Sequence, residues 1–447
     1  MSASRTVAYY TLGCKLNFAE TSAIGRQLTA QGYGKVSFDQ NPDIFLINTC
    51  SVTENADKEC RTIVNRALAV NPEAVVVVTG CFAQLKPDQI ASIPGVDLVL
   101  GANEKFNAAA YLDSIPGKGQ PMVKSCEIGE VTGFNSSWSE GDRTRVFLKV
   151  QDGCDYSCTF CTIPQARGAS RSNTIESVVG DVQTIAGRDA REIVLTGVNL
   201  GDFGILNPAS GERPSTFFDL AKALDELPNE IRFRISSIEP NLLENRTIEL
   251  VASSSKFVPH FHIPLQSGSD KILKKMRRRY LTALYRDRVA TIKALMPDCC
   301  IGVDVIVGFP GETDEDFMET YNFLRDLDIS YLHVFTYSER DNTLAAEMDE
   351  AVPMGVRKQR NKMLRILSEK KLRSFYESQT GTQRKVLFEA DNKHGWMHGF
   401  TDNYVKVRTP YDPALINQLM ECTLNAINSD GEVDVLINEA IISNQSS

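Results

Sequence analysis

Between residues 146 and 336 the chain repeats one pattern six times, a short apolar run followed by an amphipathic stretch. The runs cover 146–150, 193–196, 232–236, 261–265, 301–307 and 331–336, and stretches such as 217–227 and 314–327 carry helical spacing. Few folds admit this alternation. Parallel strands need a helical crossover between them, so six units in series predict an incomplete parallel (β/α)6 barrel. Barrel active sites lie in the loops after the strands' carboxyl ends, which makes those loops the places to search for chemistry. Asn199, Glu239, Gln266 and Glu312 fall in such loops and are expected to face one cavity.

The loop after the first run reads Gln-Asp-Gly-Cys-Asp-Tyr-Ser-Cys-Thr-Phe-Cys, placing Cys154, Cys158 and Cys161 in a Cys-x3-Cys-x2-Cys pattern with no fourth cysteine nearby. A structural zinc site is the alternative, but it needs four closed ligands, often in paired knuckles. Three thiolates on a 4Fe-4S cluster leave one iron open, and the amino and carboxylate groups of S-adenosylmethionine (SAM) can fill it.

The N-terminal third repeats the arrangement at longer range. Apolar runs at 7–11, 44–48 and 74–79 read as buried parallel strands, and each leads into a cysteine: Cys14, Cys50 and Cys81. Loops after parallel strands gather along one sheet edge, so these distant cysteines are expected to meet as a second three-ligand cluster site. The alternative is that they are small core residues. That alternative suits Cys60 better, which falls on the apolar face of a helix opened by the capping box Ser51-Val-Thr-Glu54. Cys126, Cys299, Cys300 and Cys422 have no partner at ligand spacing and read as structural.

The expected organisation is an N-terminal parallel α/β domain over 1–115, a Gly/Ser/Pro-rich linker over 116–139, the barrel over 140–376 and a small β-domain over 377–443. The first residues lack an apolar stretch of signal length, no run approaches a membrane span, and eleven cysteines are unevenly clustered. A soluble, cytoplasmic protein with reduced thiols and no membrane partner is the expectation. A net charge of −9 argues against bulk attraction to nucleic acid. Locally, however, Lys271, Lys274, Lys275 and Arg278 have helical spacing, and 357–373 is rich in basic residues, so two basic stripes are expected beside the cavity. Such runs are otherwise solvated helix faces.

With both cysteine sets placed, the chain resembles the radical-SAM methylthiotransferase family over nearly its whole length. The resemblance rests on Gly13-Cys-Lys-Leu-Asn17, Asn48-Thr-Cys50, Gly80-Cys-Phe-Ala-Gln84, the signature Gln151 to Gly168, His262-Ile-Pro-Leu-Gln-Ser-Gly-Ser269, Met276-Arg-Arg-Arg-Tyr280 and Tyr337-Ser-Glu-Arg-Asp-Asn-Thr343. The tail is similar to the family's RNA-binding TRAM domain, a small β-barrel. Two departures are visible: Leu344 stands where proline is expected, and the tail carries more acidic than basic side chains. Lys15-Leu16 resembles the branch acting on N6-threonylcarbamoyladenosine beside the tRNA anticodon. The isopentenyladenosine branch usually carries Gln-Met there, and the branch acting on a ribosomal-protein aspartate carries Pro-Lys.

The resemblance implies methylthiolation of carbon 2 of that adenine, using two SAM molecules, two 4Fe-4S clusters and a cluster-bound sulfur. Carbon 2 offers neither an acidic proton nor a leaving group, which is why radical chemistry is needed. Phe160, Gly197, Asn199, Glu239 and Gln266 are the expected SAM residues, and Lys274, Lys275, Arg277, Arg278 and Arg279 the expected RNA or substrate contacts. Implied partners are the tRNA anticodon stem-loop, a reductant such as flavodoxin or ferredoxin, and a sulfur-donor system. The competing expectations are the isopentenyladenosine or aspartate substrate, and a nonenzymatic iron-sulfur protein that binds RNA.

Overall fold

Six parallel strands form the N-terminal sheet, in the spatial order Gly34–Lys35, Thr6–Thr11, Ile44–Thr49, Val75–Gly80, Leu98–Leu100 and Met122–Lys124. The structure, a computed structural model, describes residues 5–50, 54–141 and 144–438, with the side chains of 54–57 excepted. Ile44–Thr49 is buried at every position, which explains its uninterrupted apolar run: apolar clusters cover both faces of the sheet. Because Thr6–Thr11 sits between Gly34–Lys35 and Ile44–Thr49, the winding direction reverses beside it and opens a crevice at the strand ends. Cys14 and Cys50 follow the two strands that flank this reversal.

The expected linker 116–139 is not featureless. Met122–Lys124 completes the N-terminal sheet and Ser137–Trp138 pairs antiparallel with Val146–Lys149. Strands of three and two residues, the first largely exposed, are too short to show a period in sequence. The capping box at Ser51 to Thr53 lies outside the described residues. Cys60 is fully buried on its helix Glu54–Val70.

The second unit holds six parallel strands, Val146–Lys149, Glu192–Thr196, Arg232–Ile235, His260–His262, Cys300–Val307 and Tyr331–Thr336. Isolated parallel bridges, Phe233 to Phe257 and Ser237 to His262, join the two halves into one arc, an incomplete (β/α)6 barrel as expected. The fourth strand is shifted: the run 261–265 is strand only to His262, and the chain then proceeds by isolated bridges such as Gln266 to Val305. Alternation along these strands decides what each face does. Leu148, Leu195, Phe233, Phe261, Val303 and Leu332 pack in the apolar core against the helices. Their neighbours Phe147, Val194, Arg234, His262, Asp304 and His333 line an interior cavity. The inside of this barrel is therefore polar and open.

Five strands close the C-terminal β-barrel, in the order Gln383–Phe388, Trp396–Thr401, Lys406–Pro410, Val433–Ile437 and Leu419–Ile427. It is fastened to the larger barrel by two buried arginines. Arg232 and Arg234 share the buried carboxylate of Glu192 and donate onward to the carbonyls of Lys385, Phe400, Thr401 and Asp402. That anchorage carries the turn holding Tyr404 to the rim of the interior cavity. No helix among the described residues is long and apolar enough to cross a membrane.

Candidate functional site

Cys154, Cys158 and Cys161 line one cavity of about 460 Å³, together with Tyr156, Gln165, Asn342 and Leu344. Donors are aimed at each sulfur. The Tyr156 amide donates to Cys154 Sγ and the Ile163 amide to Cys161 Sγ, both at 3.4 Å, and Arg278 Nη1 donates to Cys158 Sγ at 3.0 Å. Burial pushes the Cys154 thiol up to about 12 and the Cys161 thiol up to about 11, and raises Cys158 against the opposing pull of Arg278. Buried thiols ionise when a cation stands beside them, the condition an iron site meets, and hydrogen bonds to sulfur suit thiolate ligands. The donor set fits a three-cysteine cluster.

Cys14, Cys50 and Cys81 line a second cavity, of about 680 Å³, which continues into the barrel interior. Backbone geometry brings them together. Gly13 adopts φ +98° so closely against Cys50 that a Cβ there would lie 2.7 Å from the Cys50 Cβ. Gly80, at φ +99°, has no room for a side chain against the Thr49 backbone, so the chain can pass there only as glycine and turn into the helix Cys81–Leu85. Asn17 then ties the loops. Its Nδ2 donates to the carbonyls of Leu12 and Thr49 at 2.8 and 3.0 Å. Burial raises the Cys81 thiol, against the pull of Arg167. Three convergent thiols again fit a cluster with an open position.

The five-residue helix Ile163–Arg167 separates the two sites: Pro164 and Gln165 border the first cavity, Ile163 and Arg167 the second. Its last residue anchors a buried polar network that sequence reasoning left without a role. Arg167 donates to Asn17 Oδ1 at 2.7 Å, Glu20 Oε1 at 3.1 Å and Asp152 Oδ1 at 2.9 Å, while Lys105 and Lys149 also reach Glu20, at 2.7 and 3.1 Å. Burial alone would raise the Glu20 and Asp152 carboxyls, but Arg167 and the lysines outweigh it and hold both below the usual carboxylate range. The signal was available: Glu20 interrupts the buried face Leu16, Ala19, Ala23, Ile24, and Lys149 ends a buried strand.

Of the expected SAM residues, Gly197 alone is among those lining the two three-cysteine cavities. Glu239 is half-buried and ion-paired to Arg278, the same arginine that contacts Cys158. Burial raises the Glu239 carboxyl and Arg278 opposes that shift. Phe160 packs edge-on to Phe309, with centroids 6.5 Å apart. Asn199 is buried and donates to Asp202 at 2.9 Å, with its Oδ1 unpartnered. Gly197 lines the larger cavity instead. Gln266 holds φ +68° and bridges Asp304 and Ile306 through its backbone. Asn199, Glu239, Gln266 and Glu312, expected to face one cavity, line neither three-cysteine cavity, and Glu312 is buried against Arg360 at 2.6 Å.

The basic stripes are corrected by the structure. The helix behind the first runs only Asp270–Lys275, so the i+7 position falls beyond its end and Arg278 turns inward to Cys158 and Glu239. Lys275 pairs with Glu350 and Arg279 lies over the Tyr156 ring at 4.0 Å, while Lys274, Arg277 and Arg279 are exposed. In the second stripe Arg357 and Arg360 are buried and paired with Glu339, Glu312 and Asp314. Helical spacing alone does not distinguish an outward charge from one meeting a buried carboxylate.

Residues 6–101 match the model of the Uncharacterized protein family UPF0004, and residues 148–324 that of the Radical SAM superfamily. The chain is 39% identical over 418 residues to the threonylcarbamoyladenosine tRNA methylthiotransferase MtaB of Bacillus subtilis, covering 90% of each chain. The chain belongs to the radical-SAM tRNA methylthiotransferase family. Within that family it is also 32% identical to a tRNA-2-methylthio-N(6)-dimethylallyladenosine synthase of Clostridium botulinum, covering 86% of each chain. Among solved structures, the radical S-adenosylmethionine methyltransferase TsrM of Kitasatospora setae, with tryptophan and a SAM analogue bound, shares the fold. The TM-score is 0.56 at 14% identity, over 87% of this methylthiotransferase-family chain and 79% of that one.

Proposed function

We propose that this chain replaces the hydrogen on carbon 2 of N6-threonylcarbamoyladenosine, beside the tRNA anticodon, with a methylthio group. One observation carries the reading: two three-cysteine sites stand on either side of the helix Ile163–Arg167, in a chain 39% identical over 90% of its length to an enzyme named for that modification.

In this reading Cys154, Cys158 and Cys161 hold one 4Fe-4S cluster and Cys14, Cys50 and Cys81 the other. When bound, these clusters supply an electron for SAM cleavage and a coordination site for the transferred sulfur. The rest is the work of the chain. Arg278 and Glu239, adjacent to Cys158, offer complementary charges for the carboxylate and ammonium of SAM, and the unpartnered Asn199 Oδ1 offers an acceptor nearby in sequence to Gly197. Phe160 supplies an apolar surface for the adenine. The cavity of about 680 Å³ is of nucleoside size, and its walls from both barrels keep water from the reacting base. Tyr404 lies tilted 4.4 Å from His260 and stacks 4.9 Å from Phe400, an aromatic rim on which a base splayed from the anticodon loop can rest. The tRNA anticodon stem-loop, a reductant such as flavodoxin or ferredoxin, and a sulfur donor are the partners, and the cytoplasm the location.

Nucleoside mass spectrometry tests the reading. Reduced, sulfur-loaded enzyme with SAM should convert tRNA bearing N6-threonylcarbamoyladenosine to its 2-methylthio derivative and leave isopentenyladenosine tRNA largely unmodified. Preference for the isopentenyl substrate, or modification of a ribosomal-protein aspartate instead, would overturn the substrate while leaving the chemistry in place.

A further inference from the structure

The larger cavity has an unbalanced charge. Four cationic side chains line it, Lys15, Arg145, Arg167 and Arg234. Arg167 is matched by Glu20 and Asp152 at 3.1 and 2.9 Å, Arg234 by Glu192 at 2.8 Å, and Arg145 by Glu389 at 3.1 Å. The cavity's one carboxylate, Asp304, is held by His262 at 2.8 Å. Among the described residues none forms a hydrogen bond or an ion pair with the Lys15 side chain. It also opens the 16-residue helix Lys15–Ala30, whose N-terminal amide dipoles add positive potential at the same place.

Across the cavity from these cations stand the rings of His260 and His333, and the one carboxylate, Asp304, is already engaged by His262. Burial lowers the His260 and His333 rings; Arg234, His262 and Lys15 push His260 further in that direction, while on His333 the pull of Asp304 opposes His262 and Lys15. His260 is buried, accepts or donates one hydrogen bond with the Tyr331 hydroxyl at 3.2 Å, and has an Nδ1 without a partner. A ligand that brings one anionic group and further polar atoms would complete this wall, and a flat apolar substituent would not.

We propose that Lys15 reads the threonyl carboxylate of the modified adenosine, a specificity role that rests on the function proposed above. Lys15 stands next to Cys14, so balancing the charge of that thiolate is the competing role. An ester separates the two, because it removes the substrate's charge and leaves the cysteine site untouched.

The test compares wild-type holoenzyme with Lys15→Gln and Lys15→Arg on anticodon stem-loops bearing N6-threonylcarbamoyladenosine or its methyl ester. A charge-assisted contact of this kind predicts a fall of roughly 10- to 100-fold in kcat/KM for Lys15→Gln on the acid. The ester should show less than about a 3-fold change, and Lys15→Arg should recover most of the loss. Equilibrium binding of the two modified nucleosides should show the same split in Kd, with unchanged iron content and cluster spectra. Equal losses on acid and ester, no loss on either, or altered spectra with unchanged binding would overturn the assignment. If wild type fails to methylthiolate the acid, the proposed function falls, while the nucleoside Kd values still decide whether Lys15 recognises the carboxylate.

Discussion

The cysteine set at Cys154, Cys158 and Cys161 and the set at Cys14, Cys50 and Cys81 offer the same three thiols, but they are brought together by different means. The first lies within one loop after one strand, and its sulfurs receive their hydrogen bonds mainly from that loop's own amides. The second is assembled across 68 residues of sequence by three strand ends, two glycines with positive φ, and Asn17. A local set survives wherever its loop survives. An assembled set exists only while the sheet, the Asn17 contacts and the Arg167 network hold.

The largest effect that would sharpen this contrast is loss of each set in turn. Replacing Cys154, Cys158 and Cys161 with Ala should abolish 5′-deoxyadenosine formation and leave one cluster's worth of iron. Replacing Cys14, Cys50 and Cys81 should leave the other cluster and some SAM cleavage, with no methylthio product. Iron analysis and product chromatography check both. One cluster's worth of iron in wild type, with full activity in the N-terminal triple variant, would end the two-site reading.

A smaller effect is expected where the assembled set meets the barrel. Glu20→Gln leaves Lys105, Lys149 and Arg167 buried without their shared carboxylate, which should cost about 3–5 kcal/mol. Urea unfolding should show that loss, and iron should leave the Cys14 site before the Cys154 site. The pH dependence has a definite sign. The folded Glu20 carboxyl is held below its unfolded value near ~4, so its stabilisation is complete above that value and is lost as pH falls further. The gap between wild type and Glu20→Gln should therefore be flat above about pH 5 and close in acid. A gap that widens in acid, or stays below about 1 kcal/mol, would show that the network is not what joins the two units.

Much of this was legible in the sequence because the informative signals were local. Strand runs such as 331–336 needed only residue type and period, and the structure returns Tyr331–Thr336. The meeting of Cys14, Cys50 and Cys81 followed from the rule that parallel strands gather their ends at one edge. What was not legible depended on partners far away. Arg278 and Arg360 read as exposed charges because Glu239 and Glu312, which draw them inward, lie 39 and 48 residues distant. The polar interior was written in the alternation Arg232-Phe-Arg-Ile-Ser236 and His260-Phe-His262, but an apolar count over the same windows hides it. Tyr404 could not be placed from sequence, since its position depends on how Arg232 and Arg234 dock a separate barrel.

The two sites also differ in what they present to RNA, and this carries the smallest predicted effect. Around the larger cavity the cations other than Lys15 are committed to carboxylates, so they add little to phosphate binding. Beside the Cys154 site, Lys274 and Arg277 are exposed and have no carboxylate partner among the described residues. Phosphate contacts release counterions, at a slope of about 0.7 to 0.9 per contact in log affinity against log salt. Replacing Lys274 and Arg277 with Gln should therefore make the salt dependence of anticodon stem-loop binding shallower by about 1.5, without altering 5′-deoxyadenosine formation in the absence of RNA. Arg278 is left out because its partners are Cys158 and Glu239, and its replacement would disturb the site itself. Filter binding across a salt series reads the slope directly. An unchanged slope would mean that this face is only solvated and that RNA approaches from the side of the larger cavity.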